Sequence, residues 1–197
     1  MVDWVRVRQF LSLAAPLSII GAGAVYLLWF TQPLIVFSGS ASGEVWAFFS
    51  DVRVFGEEVR LSIAYALRVY SIPVLVMAAV DLFAGIKGLR AVRASGVLNG
   101  WPLVGCVLAS QISVVGSGYG MGVVTVIRTF TSYMTRSVSA DTSAGRVMFP
   151  PIIAEPGWAA SPAVPIVSYV LTIVSVMSLL VLVWSLERDG LLSWGGD

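Results

Sequence analysis

Residues 164–186, VPIVSYVLTIVSVMSLLVLVWSL, decide the fold, because no charged residue interrupts this apolar stretch. A helix needs about 20 predominantly apolar residues to cross the hydrocarbon core of a bilayer. The amphipathic helices of soluble proteins instead carry charged residues on their solvent-facing side. The stretch therefore predicts a transmembrane helix.

Three further stretches of the same character lie upstream, at residues 10–37, 61–86 and 98–127. Pro73 predicts a kink in the second, and Pro102 fits the first turn of the third, where no N–H is needed. The run from residue 10 is about twice as long as the apolar core of a signal peptide, so we expect it to be retained. The sequence thus predicts an all-α fold, an integral membrane four-helix bundle built as a single transmembrane domain over residues 1–197.

The composition supports this class of protein and excludes several functions. Hydrophobic residues make up 57% of the chain and charged residues only 12%, against about 25% in a soluble domain. The net charge of +1 predicts no attraction to nucleic acid. The chain has no histidine and one cysteine, Cys106, so we expect no metal site and no cofactor.

The distribution of Lys and Arg predicts the orientation of the spans. The short connections assigned to the inside carry Arg6, Arg8, Lys87, Arg90, Arg93 and Arg188. The two outer loops, residues 38–60 and 128–163, carry Arg53, Arg60, Arg128, Arg136 and Arg146. Because the inner segments are much shorter, their positive charge is denser. This pattern predicts that both ends of the chain are cytoplasmic (N-in/C-in), with the cell membrane as the expected location.

The two outer loops allow different interpretations. The first contains Val45-Trp46-Ala47-Phe48-Phe49, which is typical of a short helix lying on the membrane surface; alternatively, the second span begins early, near Val54. The second is rich in Ser, Thr and Pro, so we expect an irregular segment, too short for an independent domain.

A series of glycines marks the third span. Gly116 and Gly120 lie one helical turn apart, as do Gly118 and Gly122, and Gly105 extends the series of small residues upstream. Small residues at this spacing allow helices in lipid to approach closely. The glycines are therefore predicted to be helix-packing residues, either inside this bundle or against another subunit.

Three polar residues form a possible intramembrane site, namely Arg68, Asp81 and Gln111. A charge near the middle of a bilayer costs about 2.5–3.5 kcal/mol on insertion scales, so such residues often mark an ion or proton site. Arg68 and Asp81 lie roughly 20 Å apart along one helix and cannot pair with each other. The alternative is that each reaches an interface or pairs with a neighbouring helix.

These observations favour a structural or accessory subunit of a membrane complex, because the glycines predict helix packing and catalytic residue types are scarce. The expected partners are the lipid bilayer and either other membrane subunits or a second copy of the chain. The alternative is a small channel or transporter for an ion or small solute, with Arg68, Asp81 and Gln111 along its path. An intramembrane enzyme is the least favoured, because it would depend on scattered carboxylates of the outer loops, which are Glu44, Glu57, Glu58, Asp141 and Glu155.

Overall fold

A computed structural model describes residues 3–142 and 145–192 of the chain. Within these residues it contains four α-helices, six β-strands and a short 3₁₀ turn at Trp158–Ala160. The elements follow in the order α1 (Trp4–Thr31), β1 (Ile35–Gly39), β2 (Ala41–Val45), β3 (Ser50–Val54), β4 (Glu57–Glu58), α2 (Ser62–Ser95), α3 (Gly100–Met134), β5 (Arg136–Thr142), β6 (Gly145–Pro156) and α4 (Ala163–Arg188).

All four helices are long and apolar enough to cross a membrane. Their number agrees with the sequence prediction, but their bounds differ. Helix α1 begins at Trp4 and ends at Thr31, so the predicted span over residues 10–37 started too late and ran into strand β1. Helices α2 and α3 continue past the predicted ends, to Ser95 and Met134.

The helices end where the sequence provides capping groups. Gly96 follows α2 with φ +79°, and its N–H donates to the Val92 carbonyl, the geometry of a glycine C-cap. The Ser161 hydroxyl accepts a hydrogen bond from the Ala163 N–H at 3.2 Å and caps the start of α4. Gly190, with φ +67°, follows the last turn of α4.

The two predicted outer loops form a single antiparallel sheet, with strand order β4-β3-β2-β1-β6-β5. The all-α prediction is therefore wrong in this part of the chain. Residues 38–60 form neither a surface helix nor an early start of α2, and residues 128–163 form the end of α3 and a long hairpin rather than an irregular segment. The physical reason is that the whole of β1 pairs with residues 152–156 of β6, and this joins segments that local patterns cannot relate.

Glycine is required at one tight turn of the sheet and at one position inside a strand. The β3–β4 hairpin turns at Phe55 and Gly56, with φ +52° and +86°, the backbone signs of a type I′ turn. Phe55 is a rare non-glycine residue with positive φ, and its ring packs edge-on against Phe149 at 5.2 Å. At Gly43, with φ +119°, a Cβ would lie 1.8 Å from the Asp51 carbonyl oxygen, so the β2–β3 pair requires glycine there.

The chain divides into two compact units, described separately here. The sheet unit comprises residues 28–73 and 120–164, and one face of its sheet buries the side chains of Ile35, Phe37, Ala41, Val45, Val52, Ile152 and Ala154. The helical unit comprises residues 1–27, 74–119 and 165–197, of which residues 3–27, 74–119 and 165–192 are described. Segments of all four helices meet there in one apolar core, formed by Ala15, Ile19, Ala84, Val92, Leu98, Leu103, Cys106, Ala109, Leu179, Leu182 and Leu186. That the whole chain is one transmembrane domain stays a prediction.

Candidate functional site

Among its described residues, the helical unit buries one carboxyl group, that of Asp81 on α2. Buried residues recur along this part of α2 at Val74, Met77, Ala78, Asp81 and Ala84, so the helix turns Asp81 towards its neighbours. The side chain has 0% exposure. The Ser113 hydroxyl of α3 donates a hydrogen bond to Oδ2, while Oδ1 has no hydrogen-bond partner. Asp81 thus retains acceptor capacity in the interior of the helical unit.

Hydroxyl groups from the other helices lie around this carboxyl group. Tyr26 of α1 is fully buried, and its hydroxyl lies beside Ser117 of α3 and Ser168 of α4, within electrostatic reach of Asp81. Neither the Tyr26 hydroxyl nor the Ser168 hydroxyl has a partner at hydrogen-bonding geometry. The Ser117 hydroxyl donates to the Ser113 carbonyl at 2.9 Å. All four helices therefore contribute an oxygen atom to one buried cluster, which we call the Asp81 cluster (Tyr26, Asp81, Ser113, Ser117 and Ser168).

Close helix packing holds the Asp81 cluster together. A Cβ placed on Gly23 of α1 would lie 2.9 Å from the Asp81 Cβ and 3.0 Å from the Ala78 carbonyl oxygen. A Cβ placed on Gly116 of α3 would lie 2.2 Å from Sδ of Met77. The absence of side chains at these two glycines lets α1 and α3 approach α2 on either side of the acid. This close packing of the three helix backbones holds the oxygen atoms of the Asp81 cluster in place.

The structure does not bring together the three residues of the predicted intramembrane site. Arg68 is exposed on the part of α2 that belongs to the sheet unit, and it lines a cavity of about 470 Å³ with Glu58, Arg60 and Tyr65. Gln111 is exposed on α3 and, with Ser110, lines a mostly apolar groove of about 270 Å³ against α4. Asp81 alone is buried. Whether any of the three is functional stays a prediction.

The predicted helix-packing glycines divide into two groups. Gly116 and Gly120 are buried, and Gly116 packs against Met77. A Cβ on Gly105, Gly118 or Gly122 would have nothing within 4 Å. Gly118 and Gly122 are exposed, and they share a helix face with the exposed Gln111 and Val115. We call these four residues the α3 lane.

Sequence reasoning missed Tyr26 and Ser168 as members of a site. A tyrosine or serine in an apolar span is commonly read as packing, and neither residue is charged. One signal was present: Ser168, Thr172 and Ser175 recur at spacings of four and three, which places three hydroxyls on one face of the fourth span. All three are buried in the structure.

The Asp81 cluster can bind a proton or a cation but lacks the groups of a common catalytic site. It offers one carboxyl group and four hydroxyl groups, and among the described residues no set of His, Cys, Asp and Glu side chains could hold a metal ion. No protein-family model, no curated protein and no solved structure matches this chain. The function must therefore be argued from the geometry alone.

Proposed function

We propose that this chain is an integral protein of the cell membrane that acts as a non-catalytic subunit of a membrane complex, docking through the α3 lane. The support for membrane insertion is the surface of the helices. Large apolar side chains are exposed along the whole of α4, among them Ile166, Val170, Ile173, Met177 and Leu180, at 41–60%. Exposed apolar surface of this extent is stable in lipid and not in water.

The proposed orientation places both ends of the chain in the cytoplasm. Its support is a set of contacts between the start of α1 and the end of α4. Arg8, which is 8% exposed, forms an ion pair with Asp189, and the rings of Trp4 and Trp184 meet at 5.6 Å. The Arg188 guanidinium lies 4.7 Å from the Trp4 ring centre. Such Trp and Arg contacts are typical of a membrane interface, and the positive charge favours the inner one.

The observation that carries the docking proposal is the free space at Gly118 and Gly122. Gly21, Gly23, Gly85, Gly88 and Gly116 all pack against side chains or backbone of neighbouring helices. The second glycine pair of α3 has no such neighbour, although a glycine in a helix interior costs about 1 kcal/mol relative to alanine. A surface that allows close backbone approach and is not used within the chain fits a helix of another subunit.

A second copy of the same chain is the proposed occupant. Two copies share one orientation in the bilayer, so their α3 helices can cross in parallel about a two-fold axis with like residues facing. The Gln111 amide supports this arrangement, because it is exposed among apolar side chains and no described residue hydrogen-bonds it. Across a two-fold axis each Gln111 would meet its own counterpart, and amide pairs of this kind stabilise helix association by about 0.6–2 kcal/mol.

Oxidative cross-linking in native membranes tests the docking surface. Cys106 is first replaced by alanine, and a single cysteine is introduced at Val115, which is 74% exposed on the α3 lane. We expect a covalent dimer from Val115→Cys and none from the matched control Val76→Cys, which is 55% exposed on α2. Adding Gly118→Leu and Gly122→Leu should abolish the dimer without unfolding the chain, since both positions have space.

The outcomes of this experiment are distinct. Equal cross-linking at both positions, or a monomer mass in lipid nanodiscs, would overturn the docking proposal. Cross-linking of Val115→Cys to a different chain would overturn the choice of a second copy as occupant. Topology is tested separately: a cysteine at Ala94 should react with an impermeant maleimide only after the membrane is opened.

The buried carboxyl group favours a second candidate, a small channel or transporter for an ion. Flux of Na⁺ or protons into liposomes, compared between the unmodified chain and Asp81→Asn, tests it. Flux that depends on Asp81 would support this candidate, and absence of any flux would remove it.

A further inference from the structure

The Asp81 cluster contains more oxygen acceptors than its own hydrogen bonds use. Oδ1 of Asp81 is fully buried without a partner, and the buried hydroxyls of Tyr26 and Ser168 lie beside each other without aligned hydrogen-bond geometry. Buried polar atoms in folded proteins are almost always satisfied by protein, water or a bound ion. An unsatisfied carboxylate oxygen of α2 and two incompletely bonded hydroxyl groups of α1 and α4 therefore point to something that binds between them.

The charge of the bound species follows from the surroundings of Asp81. No Lys or Arg among the described residues forms an ion pair with it. Among the described residues, the elements packed against α2 present two titratable groups near Asp81, Tyr26 of α1 and Cys106 of α3, and the Cys106 thiol lies one turn away at the Ala84 carbonyl. The serine hydroxyls at positions 113, 117 and 168 come from α3 and α4. A buried carboxylate must be balanced by a charge of +1, because any net charge left in an apolar environment is costly.

The chemistry of the available oxygen atoms indicates which cation binds. All the available atoms are oxygen, which favours hard cations over transition metals. Calcium sites use several carboxylates, and a divalent ion beside a single carboxylate would leave an uncompensated charge. A small monovalent cation balances Asp81, and its ligands would be carboxylate and hydroxyl oxygens.

We infer that the Asp81 cluster is a binding site for Na⁺, which exchanges with the proton of the Asp81 carboxyl group. Oδ1 of Asp81, the Tyr26 hydroxyl and the Ser168 hydroxyl are the proposed ligands. When Na⁺ leaves, a proton takes its place on the carboxyl group, so the buried charge is neutral in both states. The inference does not depend on the α3 lane or on the oligomeric state of the chain.

Thermal unfolding of the full chain in detergent micelles tests the site, because a ligand that binds only the folded state raises the unfolding temperature. We expect NaCl to raise it in a saturable way, relative to KCl at the same ionic strength. The shift should weaken as the pH is lowered, because protons compete for Asp81. Asp81→Asn should remove the difference between NaCl and KCl.

Two hydroxyl variants keep the test informative if Asp81→Asn folds poorly. Tyr26→Phe and Ser168→Ala each delete an incompletely bonded hydroxyl, so the fold should persist, and the Na⁺ concentration for half of the shift should rise about fivefold or more. The matched control is Ser185→Ala, also fully buried on α4 but roughly 25 Å further along the helix. Its Na⁺ response should equal that of the unmodified chain.

Three results would overturn the inference. The first is an unfolding temperature that responds equally to NaCl and KCl. The second is a Na⁺ response that survives Asp81→Asn. The third is a pH-dependent stability without any Na⁺ effect, which would assign the carboxyl group to proton binding alone.

Discussion

Gly23 of α1 packs directly on Asp81 of α2: a Cβ at Gly23 would lie 2.9 Å from the Asp81 Cβ. Real Cβ atoms do not approach this closely, so any side chain at position 23 must push the two helices apart. The glycine thus links the packing of the helical unit to the geometry of the Asp81 cluster.

Gly23→Ala should lower the free energy of unfolding by about 1–3 kcal/mol, because an added methyl group overpacks a close helix contact. Thermal unfolding followed by circular dichroism in detergent micelles measures this. The control is Gly105→Ala on α3, where nothing lies within 4 Å of the new Cβ. It should leave stability unchanged or raise it by up to about 1 kcal/mol. Equal stabilities of the two variants would contradict the packing described here.

Ser71→Ala should destabilise the sheet unit by about 1–3 kcal/mol. The Trp29 indole N–H donates to the Ser71 hydroxyl at 3.0 Å, and both side chains have 0% exposure. The alanine variant leaves a buried donor without a partner. Ser132→Ala is the control, since that exposed hydroxyl bonds only a carbonyl of its own helix, at Thr129. Urea titration in micelles should show a lower stability for Ser71→Ala than for Ser132→Ala. A Ser71→Ala variant as stable as the unmodified chain would show that water satisfies the indole N–H.

Asp189→Asn should lower the free energy of unfolding by about 2–3 kcal/mol, because it leaves the buried Arg8 cation without its partner. The comparison is Asp3→Asn, which weakens the pair between Asp3 and Arg6. That pair is exposed at both side chains, so its loss should cost less than about 1 kcal/mol. The prediction fails if both variants unfold at the same temperature, or if 1 M salt removes the effect of Asp189→Asn.

Gly43→Ala should disrupt the pairing of β2 with β3. The residue has φ +119°, and the new Cβ would meet the Asp51 carbonyl oxygen at 1.8 Å. Gly56→Ala tests the conformational strain alone, since φ there is +86° and nothing lies within 4 Å. Hydrogen exchange of the strand amides should accelerate strongly in Gly43→Ala. In Gly56→Ala it should accelerate weakly, corresponding to a loss of about 1 kcal/mol of local stability. Similar exchange rates in both would contradict the proposed backbone clash.

The number of helices could be predicted because each contains a predominantly apolar stretch long enough to cross a bilayer. The sheet could not, for reasons visible in particular residues. The β3–β4 turn uses Phe55-Gly56 rather than the usual Asn-Gly, and the apolar residues at Val45–Phe49 resemble an interfacial helix. Pairings such as Val36 with Glu155 join positions too far apart in sequence for any local pattern to show.

The candidate site was predictable only in part. Asp81 could be singled out because a carboxylate in an apolar span is costly. That Arg68 belongs to the sheet unit and that Gln111 lies on an exposed face of α3 could not be determined from spacing alone. Tyr26 and Ser168 become members of a cluster only when four helices are packed together.

The pairing of β1 with β6 has a consequence for the synthesis of the protein. Strands β1 to β4 leave the ribosome early, yet the edge of β1 that bonds residues 152–156 stays open until two further helices have been made. An unpaired edge strand readily joins the wrong neighbour, including the same strand of another nascent chain. A chaperone that covers the open edge of β1 during this interval would therefore increase the yield of correctly folded chains.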